Sequence, residues 1–286
     1  MKKLILLTLA AAAFAVPVAA HQPGMSKAAH DNMHKEHQAR LAAILADPAR
    51  AEDAKRDKYR KPAETLEFFR VHPDHVIGEY APGGKWYTRI LGRYVNEKGK
   101  FSGLYFGTNT HFNETQKEGI AADVVKFPAD VAKVTGRPET DFSAFSLSAM
   151  PEGVKGTYDR ILIMRMMHNI MRWNIADAEI KAMRDLLKDD GLIGIEQHRA
   201  KANAPYSYTD GNKGYLREAD VIRFMEINGF ELAGTSEANA NPKDSSNWPD
   251  GVWTLPPALT LKDKDKAKYE AIGESDRMTL LFKKRP

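Results

Sequence analysis

Residues 75–91, His-Val-Ile-Gly-Glu-Tyr-Ala-Pro-Gly-Gly-Lys-Trp-Tyr-Thr-Arg-Ile-Leu, constrain the fold more than any other stretch of the chain. Val76, Ile77 and Tyr80 make a short apolar strand, Pro82-Gly83-Gly84 turns the chain, and Trp86 to Leu91 begins a helix. In an open α/β sheet, a strand, a glycine turn and a helix bring backbone N–H groups and a helix N-terminus to a ligand at the strand's carboxyl end. Gly83 and Gly84 suit such a turn on two grounds: both tolerate positive φ, and neither has a Cβ to hold a ligand off.

The rest of the chain reads as the remainder of that sheet. Strands are expected over residues 100–107, 142–147, 160–168, 192–196, 230–233 and 277–283. The run from Arg160 to His168 is almost continuously apolar, as in a strand covered on both faces. Helices are expected near residues 114–125, over 176–187 and over 218–228, the last closed by Gly229. Asp189-Asp190-Gly191 reads as a turn ahead of the fifth strand. Residues 238–265, with Trp248 and Trp253, form an irregular insertion whose tryptophans either cap an apolar ligand or anchor the loop. Upstream, residues 34–55 are helical with a break at Asp47-Pro48, and Pro62 opens a helix containing Leu66, Phe68 and Phe69. That region either covers the sheet or acts as a lid carrying Tyr59 and Arg60. Strands alternating with helices specify a doubly wound α/β sheet.

Residues 1–20 read as an export signal. Lys2-Lys3 precedes an apolar run from Leu4 to Val16, and Val18-Ala19-Ala20 offers small residues for cleavage before His21. The run is short for a membrane span and Pro17 interrupts it, so no lasting membrane anchor is expected. The expected location is periplasmic or secreted, with residues 21–55 a tether and helix and 56–286 the α/β domain. The chain has no Cys, which removes disulfides, thiolate metal sites and a Cys nucleophile. Its net charge of +4 includes Lys2 and Lys3, and no basic stripe is interleaved with aromatics, so nucleic acid is not an expected partner. A Gly-x-Ser-x-Gly elbow and a Walker loop are both missing, which sets hydrolase and phosphotransferase chemistry aside.

Four features together resemble the class I S-adenosylmethionine-dependent methyltransferases, and within them a group of exported bacterial proteins. Glu79-Tyr-Ala-Pro-Gly83-Gly-Lys85 is similar to the family's acidic-x-Gly-x-Gly-x-Gly turn. Ser148-Ala-Met-Pro151 with Tyr158-Asp159 resembles the segment that flanks the adenine and opens strand four. Gly229-Phe230 looks like the start of strand six, and residues 276–282 like the reversed last strand. The resemblance covers residues 56–286 and implies a Rossmann-like seven-stranded sheet with its last strand antiparallel. It implies S-adenosyl-L-methionine as cofactor and a small-molecule methyl acceptor. Glu79, Ala81, Pro82, Gly83 and Gly84 would then hold the methionine end, and Ser148 and Ala149 would lie at the adenine. Arg165 and His168, which share the nearer group's Arg-x-x-His pattern, would face the reacting sulfonium. The sequence departs from the family at Ala81 and Lys85, where glycines are usual, and has no carboxylate after strand two, where Asn109 offers a neutral substitute.

Methyl transfer is an in-line displacement, so the protein supplies position and, for some acceptors, a base. His168, Glu196 and His198, at the carboxyl ends of strands four and five, are the candidates for that role. His168 fits a structural hydrogen-bonded histidine equally well. Met164, Met166, Met167 and Met171 fit core packing better than soft-metal binding. A different class of function keeps the fold to bind a ligand or a metal without catalysis. His21, Met25, Met33 and the helix-spaced His30, His34 and His37 offer copper-type donors for it, or simply a solvated His-rich tether.

Overall fold

A computed structural model of the chain describes residues 27–107 and 111–286. The expected export signal, His21, Met25 and Asn109 lie outside the described residues, as does the side chain of His30. In chain order the elements are α1 (Lys27–Leu45), the single turns α2 (Ala51–Ala54) and α3 (Asp57–Arg60), α4 (Pro62–Phe68), β1 (Val76–Tyr80) and α5 (Trp86–Tyr94). Next come β2 (Lys100–Tyr105), α6 (Glu114–Thr135), β3 (Phe142–Ser146), β4 (Tyr158–Met164), α7 (Met167–Arg172) and α8 (Ala176–Leu186). The chain closes with β5 (Leu187–His198), α9 (Tyr206–Thr209), α10 (Glu218–Ile227), β6 (Phe230–Ser236), α11 (Lys266–Ile272) and β7 (Arg277–Lys284).

The seven strands form one sheet in the order β3-β2-β1-β4-β5-β7-β6. β1 to β5 run parallel, and β7 lies antiparallel between β5 and β6. This is the class I methyltransferase arrangement. Strand order reverses between β1 and β4, so the connections leaving their carboxyl ends diverge and open a crevice there.

Strand alternation sorts side chains between two cores. Ile161, Ile163, Ile193, Ile195, Leu280 and Phe282 pack under α7, α8 and α10. Ile77, Leu162, Met164 and Leu281 pack under α1, α4, α5 and α6. On this second face Gly194 makes room for Phe69, which is fully buried. A Cβ at residue 194 would stand 2.6 Å from the ring.

Four local expectations need correction. Residues 27–35, read as a tether, are helical, and α1 brings Leu41 into the core beside Leu66. α6 runs ten residues past the expected stop at 125, through Pro128. Phe127 and Val131 are buried there, with Phe127 against Phe101 and Tyr105, and that packing outweighs the hydrogen bond proline forfeits. β4 stops at Met164, and His168 sits in α7 rather than at a strand end. An apolar run buried all round has no period to separate strand from helix; Met167 and Ile170, three residues apart, face the core together. The expected turn at residues 189–191 lies within β5 as a bulge: β4 advances from Tyr158 to Arg160 while β5 advances from Leu187 to Leu192. Among the described residues, no helix is long and apolar enough to cross a membrane.

Candidate active site

A cavity of about 370 Å³ lies at the carboxyl ends of β1 and β4, within the size range of small-molecule sites. The glycine turn forms one wall, Arg56 and Arg60 another, and Trp253, Pro256 and Pro257 from the insertion a third. A larger cleft of about 470 Å³ between α1 and α4, lined by Leu41, Leu45 and Leu66, is remote from the strand ends.

The glycine turn is built differently from the sequence expectation. Left-handed backbone falls on Ala81 (φ 46°) and Lys85 (φ 55°), not on Gly83 or Gly84. Ala81 donates its N–H to Leu104 O at 2.7 Å, and Gly83 donates to Ala81 O at 2.7 Å, which fixes the reversal. Lys85 is pinned by an ion pair to Asp130. The positions where the resembled family carries its first and third glycines are thus left-handed here without glycine. Gly83 and Gly84 are exposed, and a Cβ on either would meet no protein atom within 4 Å. Their missing side chains therefore leave space on the open side of the turn, where a ligand would lie. Arg165, just past β4, is also left-handed (φ 58°), so three strained residues surround one cavity. Such strain persists where surrounding contacts over-determine it, commonly at functional sites.

Period-2 alternation puts Glu79, Glu196 and Arg277 on the sheet face that α3 to α5 cover. Glu79 accepts a 2.5 Å hydrogen bond from Thr88 Oγ1, and burial pushes its carboxyl up to about 7. Glu196 is fully buried; Arg277 Nη1 donates to one of its oxygens at 2.7 Å and Arg165 Nη1 to the other. Burial alone would raise the Glu196 carboxyl, but Arg165 and Arg277 outweigh it and hold it below its usual range. Glu274 receives Arg56 Nε at 2.6 Å, Arg60 Nε at 3.2 Å and an Arg277 Nη. Against burial, those guanidiniums hold its carboxyl at about 2. Arg60 also lies 4.8 Å from the centroid of the Trp86 ring.

His198 lines the cavity, with Nδ1 2.6 Å from Ser275 Oγ. Burial, reinforced by His168 and Arg277, pushes its imidazole well below the ordinary range, so it is neutral. His168 stands behind it, ring centroids 5.6 Å apart, with Nδ1 3.3 Å from Gln197 Oε1.

The structure thus brings Glu79, Ala81, Gly83, Gly84, Arg165 and His198 to one cavity. Pro82 is buried in the turn, and Glu196 and His168 sit behind the wall. Ser148 and Ala149 are exposed beyond β3, outside the cavity lining. Trp253 faces the cavity, whereas Trp248 anchors the insertion, packing on Tyr269 and donating Nε1–H to Asp244 at 2.8 Å.

Sequence reasoning missed Arg56, Glu274, Ser275 and Arg277. For Arg277 a signal existed, a charged residue heading an apolar strand, as Glu196 is a charge within one. Missed too was Glu179 of α8, whose carboxylate reaches the end of β2. It accepts Gly107 N–H at 2.9 Å and Tyr80 O–H at 2.6 Å.

In the His-rich segment, His37 packs on His72 (ring centroids 5.0 Å) and His34 lies 3.6 Å from Glu67. His72, Asp74 and His75, before β1, keep their ligand atoms within 4.8 Å of one another. Two ligands of a tetrahedral ion stand about 3.3 Å apart, so these would have to rotate inward to share one.

No protein-family model matches the chain, and no curated protein matches it. Solved structures do. Geranyl diphosphate methyltransferase in complex with SAM is 12% identical, with a TM-score of 0.50, covering 85% of this chain and 94% of that one. MccD protein is 8% identical, with a TM-score of 0.51, covering 79% and 96%. A cyclopropane-fatty-acyl-phospholipid synthase-like protein from Lactobacillus casei ATCC 334 is 14% identical, with a TM-score of 0.50, covering 86% and 99%. At these identities the likeness is one of fold.

Proposed function

We propose that this chain, which has the class I methyltransferase fold, is an exported S-adenosylmethionine-dependent methyltransferase acting on a small molecule. The carrying observation is the exposed Gly83-Gly84 turn at the end of β1, which opens onto a cavity at the point where strand order reverses. Residues 81–84 would hold the methionine end of S-adenosyl-L-methionine and Glu79 its ammonium group, while the adenine would have to extend beyond the cavity lining to reach the exposed Ser148 and Ala149. When bound, the cofactor supplies an electrophilic methyl group. The chain's own residues orient the acceptor for in-line attack, and Trp253, Pro256 and Pro257 wall the cavity from water. His198, which burial keeps neutral, is the imidazole in the cavity lining that would accept a proton from the acceptor.

Calorimetric titration of the purified chain with S-adenosylmethionine and S-adenosylhomocysteine tests this reading. Both are expected to bind, and Gly83→Val should weaken binding by at least about 100-fold by filling the ligand's space. The circular dichroism of that variant should match the parent, because the new side chain meets no protein atom at its Cβ. A folded parent chain that binds neither compound would sink the proposal. Binding of both without turnover on any acceptor would favour a ligand-binding role, to which the non-glycine residues Ala81 and Lys85 also point.

Export rests on the charge and apolar pattern of residues 1–20. Intact-mass analysis of protein from a periplasmic extract should show a chain beginning at His21. An uncut chain confined to the cytoplasm would refute export.

A further inference from the structure

One wall of the cavity carries more cation than its own carboxylates neutralise. Four guanidiniums, of Arg56, Arg60, Arg165 and Arg277, share two carboxylates, Glu196 and Glu274. Arg277 is 1% exposed and gives one Nη to each carboxylate; only its Nε lacks a partner, buried with the rest of the side chain. All four line the cavity, and the other three have guanidinium nitrogens that neither carboxylate takes. Arg56 gives Nε to Glu274, but its Nη2 is buried with no partner. Arg60, 5% exposed, gives only Nε to Glu274. Arg165 uses one Nη on Glu196.

Neighbouring acids do not make up the difference. Asp53 is taken by Arg89 at 2.6 Å, and Asp130 by Lys85 and Lys126. Glu79 faces Thr88, and burial leaves it partly protonated near neutral pH. Burial and then the nearby Arg165 bring Arg60 down to about 9, which reports like charges crowded together in a partly dry site. A buried donor left unpaired is destabilising, and a guanidinium's planar fork is best satisfied by the paired oxygens of a carboxylate or phosphate.

We infer that Arg56, Arg60 and Arg165 form a receiving site for an anionic group, a carboxylate or a phosphate, on the acceptor molecule. Naming that ligand an acceptor rests on the methyltransferase reading; the anion site itself does not. An anion here would supply the charge the wall lacks and offset the positive sulfonium brought in beside it. The cofactor's own carboxylate has the same chemistry, so the test must separate the two.

The probe is inorganic phosphate, titrated at constant ionic strength into the purified full chain and followed by tryptophan fluorescence. Trp86 lies under Arg60, and Trp253 forms the opposite wall. The titration is repeated with saturating S-adenosylhomocysteine and on Arg56→Met and Arg60→Met. A saturable response that persists with S-adenosylhomocysteine and weakens about tenfold or more in the variants supports the site. If Arg60→Met fails to fold, the less buried Arg56→Met decides alone. The inference is overturned if the parent gives no response or if the variants respond like the parent. It is equally overturned if S-adenosylhomocysteine abolishes the response, because the site then belongs to the cofactor's carboxylate. Should S-adenosylhomocysteine fail to bind, the methyltransferase reading falls, and phosphate binding by the unloaded parent and variants still decides the anion site.

Discussion

Arg277→Met is expected to lower the free energy of unfolding by about 3–5 kcal/mol, the loss typical of breaking a buried charge network. Arg277 is buried between Glu196, which is 0% exposed, and Glu274, which is 4% exposed. Methionine matches much of its length and fills the space, so a cavity is not the main effect. What remains is two buried carboxylates with less compensation, Glu196 leaning on Arg165 alone and Glu274 on Arg56 and Arg60. Each must then take up a proton or stay charged away from water, and both routes destabilise the native state. Arg89→Met makes the contrast, since its partner Asp53 and its own side chain are partly solvated and the loss should stay within about 1 kcal/mol. Urea denaturation of both variants at pH 7 checks this. If Arg277→Met lost no more than Arg89→Met, the buried network would contribute little to the fold.

Acid should destabilise the chain from about pH 6.5 downward, well before ordinary carboxylates titrate. Burial holds His72 and His168 at about 4 and His75 at about 2, the last helped by Arg160. An unfolded imidazole titrates near 6.5. Between pH 6.5 and 4 these imidazoles therefore bind more protons in the unfolded chain than in the folded one, while Glu79, raised to about 7 by burial, takes up its proton in the folded chain first and opposes them. The stability the imidazoles contribute is complete above 6.5 and is lost as pH falls. Each histidine loses about 1–2 kcal/mol by pH 5, allowing for the partial exposure of His72 and His75, and Glu79 returns about 2 kcal/mol, which leaves a net loss of about 1–4 kcal/mol. Glu274 extends the loss below pH 4.5, because its folded carboxyl stays ionised down to about 2 while the unfolded one protonates. Denaturation midpoints at pH 7, 6 and 5 should fall in that order. A midpoint constant over that range would show that the imidazoles reach water in the folded chain. His168→Gln, which keeps a polar group beside Gln197, should remove part of the slope.

Much of the fold was legible in the sequence because its signals are local. Val76 to Tyr80 alternates, Pro82-Gly83-Gly84 breaks, and Trp86 onward has helical spacing; β1 and α5 occupy those residues. Pro62 opens α4, and Gly229, with φ 85°, follows α10. Where packing overrode local signals, the reading failed. α6 passes through Pro128 because Phe127 and Val131 bury on either side of it, and α7 emerges from an apolar run that period cannot divide. The turn shows the same limit at finer scale. Its glycines marked the place, but the backbone put left-handed residues at Ala81 and Lys85, held by bonds to β2 and α6.

The sequence by itself determined the order of most strands and helices, the position of the glycine turn and several residues that line the cavity. Those depend on neighbours within a few residues, and propensity, alternation and turn chemistry act at that range. Only the tertiary structure decided which charges meet. Arg56 and Glu274 are 218 residues apart, Arg277 and Glu196 are 81 apart, and Tyr80 and Glu179 are 99 apart. Charged residues carry no sequence mark of their partners, because Coulomb attraction depends on separation in space and on the surrounding dielectric. Both are set by strand pairing and helix packing, which bring the ends of β1, β4, β5 and β7 side by side under α3 and α4.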